Sequence, residues 1–203
     1  MDDIAAKRVY DDRRGATVAY VASETGLVRV AVAGDRVGRF SLVRREPVRD
    51  VAVVDGTVVA ACDDVLVADD PAGFGAAVAV GGDAEGAVLA ADDAGRVARL
   101  TAEDDWRPIG RIETVRAVDG GIVAAADGVH RATADGLVPA GLTDARDVVG
   151  GGAPLAATGD GLYALGNGWL DCLDGPFRAV AAGPDGRALA VGDALHARES
   201  AGD

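Results

Sequence analysis

The chain has 203 residues, a formal net charge of −13 and a pI near 4.5, from 33 acidic against 20 basic side chains. That balance excludes the basic footprint nucleic-acid binding demands, disfavours anionic membrane surfaces, and comes with no apolar run near the ~20 residues of a membrane span. Aromatic residues are only 4 %, so the core must be built from Ala and Val, which suits closely stacked sheets.

Taken in chain order, short runs rich in Val, Leu and Ala alternate with Gly/Asp turns, the signature of strands and hairpins. The first unit is irregular, with strands expected over 17–22, 27–33 and 36–45. The second has 48–54, 57–62 and 65–69, with a weak fourth strand near Phe74. The third has 75–80, 87–91, 96–100 and 106–113. The fourth has 115–118, 122–126, 129–133 and 137–141. The fifth has 145–149, 154–158, 162–165 and 169–173. The sixth has 177–182, 188–191 and 195–198 and no fourth strand. No stretch carries a long 3.6-residue apolar stripe with caps, so no long helix is expected.

The units are copies of one another. Val48-Arg49-Asp50-Val51, Val115-Arg116-Ala117-Val118, Ala145-Arg146-Asp147-Val148 and Phe177-Arg178-Ala179-Val180 open four of them. Self-similarity at about 30 residues marks a repeat architecture, in which each small sheet buries its faces only against its neighbours. The expected fold is all-β: a single β-propeller domain over 1–203 with six short blades of three to four antiparallel strands. The blades run roughly over 4–46, 47–74, 75–114, 115–143, 144–175 and 176–200. A count of five follows if the first unit is not a true blade. The missing last strand and a spare N-terminal segment, 6–10, suggest that this segment closes the ring.

Two phrases carry a resemblance. Gly183-Pro184-Asp185-Gly186-Arg187-Ala188-Leu189-Ala190-Val191 resembles the turn and strand of WD-repeat-like propellers. Thr133-Ala134-Asp135-Gly136-Leu137, Leu165-Gly166-Asn167-Gly168-Trp169 and Thr101-Ala102-Glu103-Asp104-Asp105-Trp106 resemble degenerate Asp-box hairpins, without the Ser and with a shortened spacing to Trp. The whole chain is similar to a family of small haloarchaeal β-propellers. Its acidic surface, with 27 Asp and a single lysine, Lys7, resembles that of proteins from salt-in halophilic archaea. The resemblance implies fold and lineage and carries no activity with it. The acidic start Met1-Asp2-Asp3-Ile4 is unlike a signal peptide, so a cytoplasmic protein is expected.

Arg49, Arg116, Arg146 and Arg178 share one slot in the first strand, which lines the channel of a propeller. They are the candidate binding residues: a partial ring of guanidinium groups at the channel mouth would offer bidentate donors to carboxylate or phosphate. The alternative is structural, with each arginine bridging to an Asp of a neighbouring blade.

Other residues point to structure. His130 and His196 fill a third-strand slot that Tyr163 and Leu66 occupy elsewhere, which reads as packing. Cys62 and Cys172 lie three units apart, too far for a disulfide, and buried packing is expected of both. The pairs Asp63-Asp64, Asp69-Asp70, Asp92-Asp93 and Asp104-Asp105 match turn chemistry rather than a calcium loop. Trp106 and Trp169 open fourth strands and are expected to pack between blades. No phosphate-binding loop, dinucleotide fingerprint or Gly-x-Ser-x-Gly elbow is present, and Tyr10, Tyr20 and Tyr163 have no Glu neighbour for sialidase-like chemistry.

The sequence therefore points to no catalytic residue, no metal and no cofactor. The leading expectation is a non-catalytic binding or scaffolding module for a protein partner, with no nucleic-acid or membrane partner. An enzyme or small-anion receptor at the arginine-lined mouth is the alternative.

Overall fold

The computed structural model describes residues 16–183 and 186–199. These are all-β, with no helix among them. The chain divides into two compact units at Pro47/Val48.

The first unit contains one sheet, β1 (Ala16–Ser23), β2 (Gly26–Ala33) and β3 (Arg36–Arg44), paired antiparallel in that order. It is a true sheet, so the count of six stands over five. Segment 6–10, expected to close the ring, lies outside the described residues, as do Lys7 and Tyr10.

The second unit contains five sheets. The first is β4 (Asp50–Val54), β5 (Thr57–Ala61), β6 (Val65–Val67) and β7 (Asp70–Pro71). The second is β8 (Ala79–Gly82), β9 (Val88–Ala91), β10 (Arg96–Leu100) and β11 (Trp106–Arg111). Then follow β12 (Val115–Asp119), β13 (Ile122–Ala125), β14 (Gly128–Ala132) and β15 (Leu137–Gly141). The next holds β16 (Ala145–Val149), β17 (Leu155–Thr158), β18 (Gly161–Leu165) and β19 (Trp169–Asp174). The last holds β20 (Ala179–Ala182), β21 (Ala188–Val191) and β22 (Leu195–Arg198). Every sheet is an antiparallel meander in sequence order.

One expectation needs correction. The fourth strand of the β4 sheet is Asp70–Pro71, not a segment near Phe74. Pro71 has no N–H to extend a ladder, which holds this outer strand to two residues. Phe74 is buried instead, edge-on to the Trp106 ring at 4.8 Å between centroids.

The first strands of the second unit stand side by side: β4 by β8, β8 by β12, β12 by β16, β16 by β20. Four apolar cores fill the spaces between successive sheets, built mainly from Ala and Val, as in the layer of Val59, Ala61 and Val65 against Val80, Ala90 and Ala98. The inner strands approach to backbone contact. A Cβ on Gly81 would lie 2.2 Å from the Val118 carbonyl oxygen, and one on Gly150 would lie 2.4 Å from that of Asp119. Farther out the sheets are spanned by large side chains. Trp106 donates through Nε1 to the Ala72 carbonyl of the preceding sheet at 2.8 Å, and Trp169 to that of Ala140 at 2.7 Å.

Gly81→Ala places a methyl group against backbone that cannot yield, so it is expected to destabilise the fold by about 1–3 kcal/mol, as overpacking does. A urea unfolding curve that superimposes on the wild type would refute this reading of the inner strands.

Candidate functional site

All four repeated arginines lie in the second unit, at the start of the inner strands. Arg116 and Arg146 sit where the register of β12 on β13 and of β16 on β17 shifts by one residue. The bulge frees these side chains from the alternation of the strand and turns them along the inner row.

Three of the four are engaged. Arg49 donates to the Cys62 carbonyl at 2.8 Å and the Ala77 carbonyl of the next sheet at 3.4 Å, and pairs with Asp63 at 3.3 Å. Arg116 makes the equivalent reach, to the Ala145 carbonyl of its next sheet at 3.0 Å, and donates to Asp144 Oδ1 at 2.6 Å. Arg146 donates to the other oxygen of the same carboxylate, Asp144 Oδ2, through Nη2 at 3.0 Å and Nε at 3.2 Å. The Arg178 backbone N–H donates to the Val191 carbonyl at 2.8 Å, but its exposed side chain makes no hydrogen bond or ion pair among the described residues. The structure thus brings Arg116 and Arg146 together on Asp144 and leaves the Arg178 side chain without a partner among the described residues.

Asp144 is the residue that sequence reasoning missed. Its only signal is its place two residues before Arg146. Arg116 first, and Arg146 second, hold its carboxyl below the usual carboxylate range.

A second set of carboxylates works the other way. Asp50 accepts from its neighbour Val51 N–H at 2.8 Å and from Val80 N–H of the next sheet at 2.9 Å. Asp147 repeats this with Val148 at 2.9 Å and Val180 at 2.8 Å. Asp119 accepts from Gly150 N–H at 2.8 Å, again one sheet on. Burial pushes the Asp50 and Asp147 carboxyls up, against the pull of those amide bonds, and mutual repulsion with Asp119 adds to it.

Of the two histidines expected to pack, His130 is buried with Nε2 3.0 Å from Asp127 Oδ1, whereas His196 is exposed, edge-on to Phe177 at 5.4 Å, because it lies on the last strand of its sheet. The cysteines form no disulfide; Cys62 is buried, but Cys172 is exposed, contrary to expectation, because the next sheet, β20–β22, has among the described residues no fourth strand to lie opposite β19. Asp64 organises its turn by accepting from Val65, Gly73 and Gly75 amides. Burial first, then Asp160, Asp171 and Asp174, raise the Tyr163 phenol. A cavity of about 360 Å³ opens between the last two sheets, lined by Leu155, Leu162, Leu173, Val180, His196 and Arg198 among others, and by none of the four arginines.

A family model described as "Beta-prop_HVO_0234:-like, beta propeller" matches residues 3–202. The chain belongs to this β-propeller family. A search of the curated proteins finds no significant match. Among solved structures, this HVO_0234-like propeller is similar to the extracellular domain of BT4673 from B. thetaiotaomicron, with a TM-score of 0.65 and 10 % identity, over 89 % of this chain and 31 % of that one. It is similar to a streptogramin B lyase, with a TM-score of 0.59 and 11 % identity, over 93 % and 84 %. PorZ of the type-IX secretion system of Porphyromonas gingivalis gives a TM-score of 0.56 and 15 % identity, over 89 % and 31 %. The propeller thus spans about a third of the length of BT4673 and PorZ, and identities this low speak for the fold alone.

Two tests follow from the geometry. Asp147→Ala leaves the Val180 and Val148 amides without their acceptor, and is expected to cost about 1–3 kcal/mol and to speed hydrogen exchange at Val180 in particular. Unchanged protection there would show that Asp147 does not tie the last two sheets together.

The two classes of carboxylate give opposite pH dependence. Asp144, depressed, adds stability that is present above the usual carboxylate pKa of about 3.9 and lost as pH falls through its lower folded value. Asp50 and Asp147, raised, subtract stability as pH climbs from that value through their own. Denaturation midpoints of Asp144→Asn should therefore fall furthest below wild type at neutral pH and converge with it in acid. A constant gap across the titration would contradict the assignment.

Proposed function

We propose that this propeller is a non-catalytic binding or scaffolding module for protein partners. The observation that carries the reading is the Asp144 carboxylate held between Arg116 and Arg146, with Arg49 and Arg116 reaching to the same carbonyl position of the next sheet. Groups that would form an anion site are committed to joining sheets. The inner carboxylates Asp50, Asp119 and Asp147 are spent on the same task. What the second unit offers to other molecules is the surface of its fourth strands, where Val138, Leu170 and Leu173 stand exposed. The net charge of −13, with 19 arginines to one lysine, fits a protein kept hydrated in the salt-rich cytoplasm of a halophilic archaeon and turns nucleic acid and anionic membranes away.

The second reading is a small-anion receptor or enzyme at the arginines. The Arg178 side chain, exposed and without a partner among the described residues, favours it.

Purification of the tagged full chain from its own cells at molar salt separates the two. A stoichiometric protein retained through the wash by the wild type and by an Arg116→Ala/Arg146→Ala/Arg178→Ala variant alike is the expected outcome. A retained protein lost from that variant would instead draw those arginines into the interface. A chain that comes through alone, melts at a higher temperature in phosphate, and loses that shift in Arg178→Ala would replace the scaffold with the receptor.

A further inference from the structure

Four sheets of the chain have a fourth strand paired to the third; the sheet of the first unit and that of β20–β22 do not, among the described residues, and the first unit's is the one with the long outer strand. Its third strand, β3, is therefore an edge of nine residues, about 30 Å long, with one row of backbone donors and acceptors outside the ladder. Eight of its nine residues are exposed.

Its composition is unlike the rest of the protein. Residues 36–45 hold four arginines, Arg36, Arg39, Arg44 and Arg45, and no acid, in a chain whose net charge is −13. Between the arginines stand Val37 and Phe40, 72 % and 73 % exposed, and Leu42.

The register sorts these residues by face. Residues paired across an antiparallel ladder share a face. Val28 pairs with Leu42, Val30 with Phe40 and Val32 with Val37, while Arg29 pairs with Ser41, Leu27 with Arg44 and Ala33 with Arg36. On β1 the first three rows continue into Val21, Ala19 and Thr17. One face at the edge is thus apolar, and the other carries Arg36 and Arg44, the latter 3.9 Å from Glu46. Positions 37 and 40 would lie on opposite faces of a regular strand. The register shift between Val30 and Val32 brings them to the same one.

We infer that the β3 edge is a docking site for an acidic, extended segment of a partner protein, which adds as the fourth strand of this sheet. The inference rests on the reading of the chain as a protein-binding module and names the surface and the partner's chemistry. Backbone pairing to the edge supplies affinity. Alternate side chains of the added strand meet Phe40, Leu42 and Val37 on one face and, as Asp or Glu, Arg36 on the other, with Arg39 and Arg45 adding positive charge along the same segment. The same arginines repel a second copy of β3, which sets the edge against self-pairing and selects an acidic occupant.

The test is fluorescence anisotropy of the full chain with a fluorescein-labelled peptide of alternating Asp and Val, at low and at molar salt. The wild type is expected to bind it, and an Arg36→Glu/Arg39→Glu/Arg45→Glu variant to bind at least about tenfold more weakly, the sum of a few exposed ion pairs. Phe40→Ser, at an exposed site, is expected to weaken binding too, and serves if the charge-reversed variant fails to fold. No binding by the wild type, or binding that both variants leave intact, overturns the proposal. So does tighter binding of a single-stranded RNA of equal length, a concentration-dependent dimer that excludes the peptide, or displacement of the probe by a synthetic peptide of residues 1–15, which would assign the edge to the chain's own N-terminal segment. A partner recovered from cells equally well by the wild type and the charge-reversed variant overturns this edge while leaving the binding-module reading in place.

Discussion

The contact between neighbouring inner strands governs the second unit. There the sheets meet backbone to backbone, with no room for a Cβ at Gly81 or Gly150. Backbone amides pressed together this closely need acceptors, because a buried N–H without a partner costs more than an ordinary hydrogen bond returns. Asp50, Asp119 and Asp147 supply them, each from one sheet to the amide of the next. Sheets joined at the inner row must diverge outward, so the side chains that fill the spaces grow with distance from it. Ala and Val pack near the inner strands and Phe74, Trp106 and Trp169 farther out. Each indole also carries a hydrogen bond to the sheet before it, so the outer packing is directional as well as apolar.

This arrangement divides the carboxylates into two classes. Burial of Asp50 and Asp147 in the inner row raises their pKa, while the amides they accept from pull it back down. Asp144 lies where two guanidinium groups converge, and its pKa falls. In a protein so rich in Asp, charge is mostly a matter of solvation, and these few are distinguished by geometry alone. The arginines follow the same logic. With acids abundant and lysine nearly absent, a guanidinium that can bond a carbonyl and a carboxylate at once serves as a clamp between sheets.

Much of the fold was legible. The recurring Arg-containing phrase set the repeat, the Gly/Asp turns set the hairpins, and strands such as Arg96–Leu100 and Leu137–Gly141 run as the pattern indicates. The site was legible only in half. The slot shared by Arg49, Arg116, Arg146 and Arg178 could be read from alignment of the units. Their partners could not, because Asp144 is 28 residues from Arg116 and meets it only when two sheets stack. Reading strand ends also failed where packing overrode pattern: Phe74 has strand-forming character but is taken into the core against Trp106, and Cys172 faces outward from the last strand of its sheet.

By itself the sequence determined a repeated all-β chain, its turns, its acidic surface and the equivalence of the arginine slots, since these depend on local propensity and on period, which neighbours along the chain specify. Tertiary structure decided which carboxylate each arginine meets, which acids are pushed up or down, and which face of β3 carries Phe40. Those outcomes depend on distances between residues on different strands and on bulges that change which way a side chain points, and no reading of adjacent residues contains them.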